Sequence, residues 1–405
     1  MRASAFLYPW DVNGDPEAPA RTAGLGVRQV TLASAYHSTR ALTPRHPRHR
    51  IVTASHAAVL YPVDEARWRG RTLRPYPAGD WAPGDAYGEA AAALAGAGLD
   101  VHTWVVLAHN SRMGEEHPAT SVVNAYGDRY PWAPCVAQPA TRAYLAGLAA
   151  EAAVRPGAAG TELESLGWYG LAHLHAHDKT GGVPLGDAGQ YLMSLCFCAA
   201  CADGYGRTGL DAEELASSVR GALEPVWRGE PSGGGWAGVE KLLGAGTAAA
   251  TRLWRDRVAR SLQEETVSAV RSAAPAGFQV LLHADPVSFH CGANAGVDPG
   301  HVLSVADGVV VPCTAGADLL TPFAEAVRAG ARGTVLAANF TVVSGMGGRP
   351  DGLAADVARA ASLGATELRL YHAGLASDAD LEAVRGVLAG PDRRGPVPRS
   401  RPSGG

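Results

Sequence analysis

Residues 333–389 read GTVLAANFTVVSGMGGRPDGLAADVARAASLGATELRLYHAGLASDADLEAVRGVLA. The apolar run at 333–340 predicts a strand, and 351–364 carries the Ala/Leu/Arg-rich period of a helix. The pair then recurs, as a strand over 367–373 and a helix over 377–389. Two such units in succession predict parallel strands, because parallel neighbours need a crossover that is usually helical.

Working outward, the same alternation places strands at about 4–11, 28–37, 101–109, 161–168, 278–285 and 302–312, and helices over 84–98, 141–153 and 318–330. Eight strands alternating with helices predict an α/β chain folded as a closed (β/α)8 TIM barrel. An open doubly wound sheet would carry a Gly-x-Gly-x-x-Gly turn after its first strand, and none follows here. Residues 1–390 are expected to form the barrel. Segment 170–276 is a helical excursion after strand four, with a second helical pattern at 239–273 beyond the break SGGGWAG. The Pro/Gly/Arg-rich end, 391–405, has the composition of a disordered tail.

A chain of 405 residues with 47% hydrophobic content and a net charge of -4 can bury a large core and offers no broad basic face for nucleic acid. The apolar run Ala5 to Leu7 is too short for a signal sequence, and nothing approaches the roughly 18 apolar residues of a membrane span. A cytoplasmic protein without membrane or nucleic-acid partners is therefore expected. A homo-oligomer is compatible with the sequence. Six cysteines in a reducing compartment read as thiols or metal ligands rather than disulfides.

Barrel enzymes place their chemistry where strands end, so those positions are the first candidates. Tyr8, Trp10 and Asp11 end strand one, and Tyr36 and His37 end strand two. His109 and Asn110 end strand three, His283 and Asp285 strand five, and Tyr371 strand eight. Aromatic rings mixed with hydrogen-bonding groups suit a sugar, whose C–H faces stack while its hydroxyls need partners. In TELESLGW, Glu162 and Glu164 share a parity opposite to Leu163, so both carboxylates point into the barrel. Glu164, nearer the open end, is the catalytic candidate, and Glu162 its support in an ion-pair network. Asp285 and Asp307 are candidates for the second carboxylate that glycoside cleavage requires.

The run HLHAHDK at 173–179 gives a loop in which His175 and Lys179 would contact ligand. Cys196, Cys198 and Cys201 form C-x-C-x-x-C, and Cys135 would complete a four-sulfur structural zinc site. Ordinary buried thiols are the other reading of these residues.

PWAPCVAQPATRAYL with Cys135, ELESLGWYG with Glu164 and LCFCAACADGYG with its three cysteines follow one another in an order that resembles the β-galactosidases of glycoside hydrolase family 42. The likeness covers roughly residues 100–205, together with a last strand LYHAGL. It implies a zinc-bearing barrel with an acid/base glutamate ending strand four, and no organic cofactor. The sequence departs from that family where Leu163 stands in place of an asparagine before Glu164, and where strand seven ends in Asn339 and Phe340 rather than a glutamate. The expectation is a glycoside-hydrolase-like enzyme acting on a small glycoside or sugar-bearing metabolite. A metal-dependent sugar isomerase, epimerase or lyase, and a sugar-binding barrel without hydrolysis, are the alternatives.

Overall fold

The computed structural model describes residues 1–171 and 178–390. Eight parallel strands close on themselves: β1 (Arg2–Leu7), β2 (Gln29–Tyr36), β3 (Asp100–Val106), β4 (Ala158–Glu164), β5 (Gln279–Asp285), β6 (Gly308–Pro312), β7 (Val335–Thr341) and β8 (Glu367–Tyr371). Closure is made by β1, which pairs with β2 through Ser4↔Gln29 to Leu7↔Leu32 and with β8 through Arg2↔Glu367 to Ala5↔Leu370. The helices α1 (Ala18–Ala23), α2 (Ala86–Gly96), α3 (Pro139–Ala153), α4 (Ala245–Ala273), α5 (Pro299–Val305), α6 (Thr321–Arg328), α7 (Leu353–Ser362) and α8 (Asp378–Leu388) follow the strands in turn. The chain is thus a (β/α)8 barrel. Its strands read as apolar runs because both of their faces are covered, and every residue of β2 is buried.

Several predicted strands end or begin elsewhere: 101–109 stops at Val106, 161–168 at Glu164 and 367–373 at Tyr371, and two more shift for clear local reasons. The first stops at Leu7, and Pro9–Asp11 coil into a 3-10 turn. Pro9 fixes φ and lacks an N–H, while the Asp11 carboxylate accepts from Tyr8 N at 2.8 Å. The run 302–312 divides: Asp298 caps α5 by accepting from His301 N at 2.7 Å, Pro299 opens the helix, and β6 begins only at Gly308.

Among the described residues, the excursion after β4 holds four helices, Gly186–Met193, Ala199–Gly206, Ala212–Trp227 and Gly235–Leu243, before α4 returns along the barrel against α3. His173, His175 and His177, and the tail 391–405, lie outside the described residues. Among the described residues no helix is long and apolar enough to cross a membrane.

The barrel interior is layered. Leu281, Val310 and Ala337 form a small apolar cluster. The buried ion pair of Glu162 and Arg369 forms a polar layer, with Thr31 Oγ1 donating to Glu162 Oε1 at 3.0 Å. Phe6, Trp104, Tyr36 and Tyr8 pack in an aromatic layer toward the strand C-termini. Glu162 and Glu164 both face inward, while Leu163 joins the core between sheet and helices.

Candidate active site

A cavity of about 1200 Å³ opens at the C-terminal ends of the strands. It is large enough for more than one sugar ring, since pockets for drug-sized ligands run to roughly 1,000 Å³. Among the predicted residues, Tyr8, Tyr36, His37 and His109 line it from β1 to β3. Glu164, Asp285 and Tyr371 complete the ring from β4, β5 and β8.

Glu164 is 5% exposed, and its Oε2 accepts from Trp104 Nε1 at 2.7 Å. The indole is locked below by Phe6, 4.8 Å away edge to face, so it fixes the carboxylate's orientation. Immediately after Glu164 the chain turns through Ser165 at φ 58, a conformation costly for a residue with a Cβ. Ser165 is held there by its N–H to Ala293 O at 2.8 Å and by Ala108 N–H to its own carbonyl at 3.1 Å. The strand end carrying the carboxylate is therefore pinned from both sides.

Burial pushes the hydroxyls of Tyr8, Tyr36 and Tyr371 well above the ordinary phenol range, and the nearby charge of Glu164 adds to it. All three stay protonated and present O–H groups beside Glu164. Burial, with His37 adding to it, pushes His372 down to about 3, so a neutral imidazole stands in the wall next to Tyr371. The peptide joining those two residues is cis.

Asp285 is tied on both oxygens. Oδ1 accepts from Val287 N at 2.8 Å, and Oδ2 lies 2.9 Å from His290 Nδ1. The hydrogen bond to Asp285 raises His290, so this imidazole carries positive charge to higher pH than an ordinary one.

Other predicted residues lie elsewhere. Trp10 stacks on the back of Tyr8 at 4.5 Å and is buried away from the cavity. Asp11 lies behind Tyr8 as well, where burial raises it to about 7 despite its bond to Tyr8 N and the nearby Arg45 guanidinium. Gly374 makes room for it, since a Cβ there would stand 2.0 Å from Asp11 Oδ2. Asn110 caps the short helix Ser111–Glu116 through Met113 N at 3.0 Å. His283 is buried beneath Glu164 rather than in the cavity wall. Lys179 is exposed, next to Thr180 and Gly181 at the cavity's border.

Asp307 sits at the opposite end of the barrel. It precedes β6, bonds Val280 N at 2.8 Å and pairs with Arg271 at 3.0 Å, so it cannot partner Glu164. The reading of 302–312 as one strand had placed it too near the open end.

Sequence reasoning did not single out Tyr169 and Asn294. Tyr169 lines the cavity and stacks on His109 at 4.7 Å with planes 5° apart. Asn294 presents a buried Oδ1 without a hydrogen-bond partner among the described residues. Both follow strand ends within loops, where no period reports direction. The only available signal was the aromatic pair in GWYG.

The four cysteines converge outside the barrel mouth. Their sulfurs lie within 4.8 Å of one another, with Cys135 Sγ 3.5 Å from Cys198 Sγ and 3.6 Å from Cys201 Sγ. A disulfide would need about 2.05 Å. A tetrahedral ion with bonds of about 2.3 Å sets its sulfurs about 3.8 Å apart. The cluster therefore fits a structural metal, and it joins the hairpin Ser121–Val123/Arg129–Pro134 to the helix Ala199–Gly206.

No family model matches the sequence, and no curated protein does. Solved structures match its fold across nearly the whole chain. An α-L-fucosidase isoenzyme 2 from Paenibacillus thiaminolyticus aligns with TM-score 0.56 and 13% identity over 96% of this chain and 49% of its own. The glycoside hydrolase domain of PgaB (BpsB) from Bordetella bronchiseptica aligns with TM-score 0.55 and 16% identity, covering 96% of this chain and 99% of that domain. The GH42 β-galactosidase Gan42B from G. stearothermophilus aligns with TM-score 0.51 and 11% identity over 96% of this chain and 56% of its own. The chain thus spans about half the length of the fucosidase and the β-galactosidase, and at these identities the likeness establishes the barrel fold that these glycoside hydrolases share.

Proposed function

We propose that this protein is a glycoside-hydrolase-like enzyme that cleaves a small glycoside or sugar-bearing metabolite, with Glu164 as its acid/base residue. The observation that carries the reading is the inward carboxylate of Glu164, held by Trp104 in a cavity walled by tyrosines and histidines, with Asp285 at the end of the adjacent strand. As the bond from the anomeric carbon to the leaving oxygen breaks, Glu164 gives that oxygen its proton. Asp285 either attacks the anomeric carbon or takes a proton from the attacking water. Tyr8, Tyr36 and Tyr371 supply hydroxyls and ring faces to the sugar, with His37, His109 and Tyr169 along the rim.

Zinc is the metal proposed for Cys135, Cys196, Cys198 and Cys201. With four sulfur ligands it has no open position, and it would supply a staple rather than a reacting centre. Such thiolates persist in a reducing compartment, in keeping with a cytoplasmic location. The metal-dependent alternative rests on His173, His175 and His177, which lie outside the described residues, or on His283, which is buried beneath Glu164.

The test is a screen of aryl glycosides with wild type, Glu164→Gln, Asp285→Asn and Asp307→Asn, all checked for folding by circular dichroism. Loss of Glu164 should cost about 10²–10⁴ in turnover, the range of general acid–base catalysis. Asp285→Asn should fall sharply as well, and Asp307→Asn should stay within about twofold of wild type. Sugar binding without turnover by wild type would favour the binding-only barrel, in keeping with Asn339 in β7 where the resembled family carries its glutamate near the strand end.

A further inference from the structure

The floor beneath Glu164 holds ionisable groups that the proposed reaction does not use. Glu162 and Arg369 are each 0% exposed and meet at 2.6 Å between Oε1 and Nε. His283, 2% exposed, lies between the two glutamates. Its Nε2 is 3.5 Å from Glu162 Oε2, and its Nδ1 is 3.8 Å from Glu164 Oε2. Each ring nitrogen therefore faces a carboxylate. Among the described residues, neither Nε2 nor Glu162 Oε2 has any other hydrogen-bond partner.

A neutral imidazole has one N–H and can serve one carboxylate, whereas an imidazolium serves both. Charge fixes how many protons the group carries. Glu162 and Arg369 cancel, so the buried set is neutral only when His283 and Glu164 hold one proton between them. With none or two, a net charge is left in a low-dielectric interior, which is costly. Among the other facing groups, Glu367 adds a negative charge, which solvent partly screens because its side chain is part-exposed. It pairs with Arg369 at 2.8 Å at the edge of the layer, and its charge favours keeping the proton. Burial lowers His102 to about 4, leaving it neutral. Tyr8, Tyr36, Tyr169 and Tyr371 face Glu164 as neutral phenols, and Thr31 adds only a hydroxyl.

We infer that Glu164 and His283 share a single proton, which makes His283 a positioning residue that sets the pH range over which Glu164 acts as an acid. This rests on the reading of Glu164 as the acid/base residue. Removing His283 leaves the Glu164 carboxylate uncompensated, so the carboxyl keeps its proton to higher pH. Neutralising Glu162 leaves Arg369 in excess, so Glu164 loses its proton at lower pH.

The experiment follows the alkaline limb of kcat/KM in His283→Gln and Glu162→Gln. The limb should rise by about one pH unit in the first and fall by about one in the second, each a tenfold change in rate at a fixed pH on that limb. A merely structural role would lower the rate at every pH without moving the limb, and that result would overturn the inference. Should either variant fail to fold, the wild-type chain labelled with ¹³C in histidine and glutamate side chains serves instead. His283 and Glu164 should then titrate with common midpoints, and independent midpoints would refute the shared proton. A coupled titration together with turnover indifferent to Glu164→Gln would sink the functional reading alone. Turnover that needs Glu164, with an unmoved limb in His283→Gln, would sink this inference alone.

Discussion

At the scale of single residues, two buried carboxyls pull stability in opposite directions with pH. Glu162 is desolvated, but Arg369 and then His283 more than offset that cost and hold it at about 2. Its contribution is present above its ordinary value of 4.5 and is lost as pH falls toward 2. Arg369→Met strands the Glu162 charge and should cost about 3–5 kcal/mol in urea unfolding at neutral pH. The penalty should shrink near pH 3, where Glu162 can accept a proton. Asp11 behaves in the opposite sense, because burial raises it to about 7 and the fold favours its neutral form. Its contribution is full below about pH 4 and is lost as pH rises through about 7. Asp11→Asn should therefore melt higher than wild type at pH 8.5 and at nearly the same temperature at pH 4. An equal change at both pH values would show that the carboxyl does not titrate as described. The parity of Glu162 and Glu164 was readable from sequence because a strand's period is two. Their difference in role was not, because it depends on Arg369, which lies 207 residues from Glu162 in the chain.

At the scale of elements, two close contacts help to hold the excursion after β4 in place. The cysteine cluster ties the hairpin after β3 to the helix Ala199–Gly206, and its C-x-C-x-x-C spacing was plain in the sequence. Purified protein should carry about one zinc per chain, and Cys198→Ser should lose it with a clear drop in Tm. Metal content unchanged in that variant would remove the staple. The second contact was invisible to pattern reading. A Cβ on Gly204 would stand 2.1 Å from the Trp254 ring, so only glycine lets this helix approach α4. Gly204→Ala should cost about 1–3 kcal/mol, the range for overpacked interiors, read by denaturant midpoint. The boundary errors have local causes as well. At 302–312 an apolar helix and an apolar strand run together, and only the Asp298–Pro299 start signal separates them.

For the whole molecule, alternating strand and helix periods were enough to give the barrel, since eight parallel strands with helical crossovers have few other ways to cover both faces of the sheet. The barrel in turn predicts where chemistry gathers: Tyr8, Tyr36, His37, His109, Glu164, Asp285 and Tyr371 border one cavity, whereas Asn110 and His283 do not. Positions beyond the strand ends were not legible. Trp10 and Asp11 turn behind Tyr8, while Tyr169 and Asn294 enter from loops whose paths no periodicity describes. The proposed function has Glu164 protonate a departing oxygen. The most direct measurement compares wild type and Glu164→Gln on two glycosides of one sugar, one with a nitrophenol leaving group and one with an alcohol. A lost general acid matters most where the leaving oxygen is most basic. The account predicts a loss on the alkyl glycoside at least about tenfold larger than the loss on the nitrophenyl glycoside. Equal losses on both, or no turnover of either by the folded wild-type protein, would contradict it.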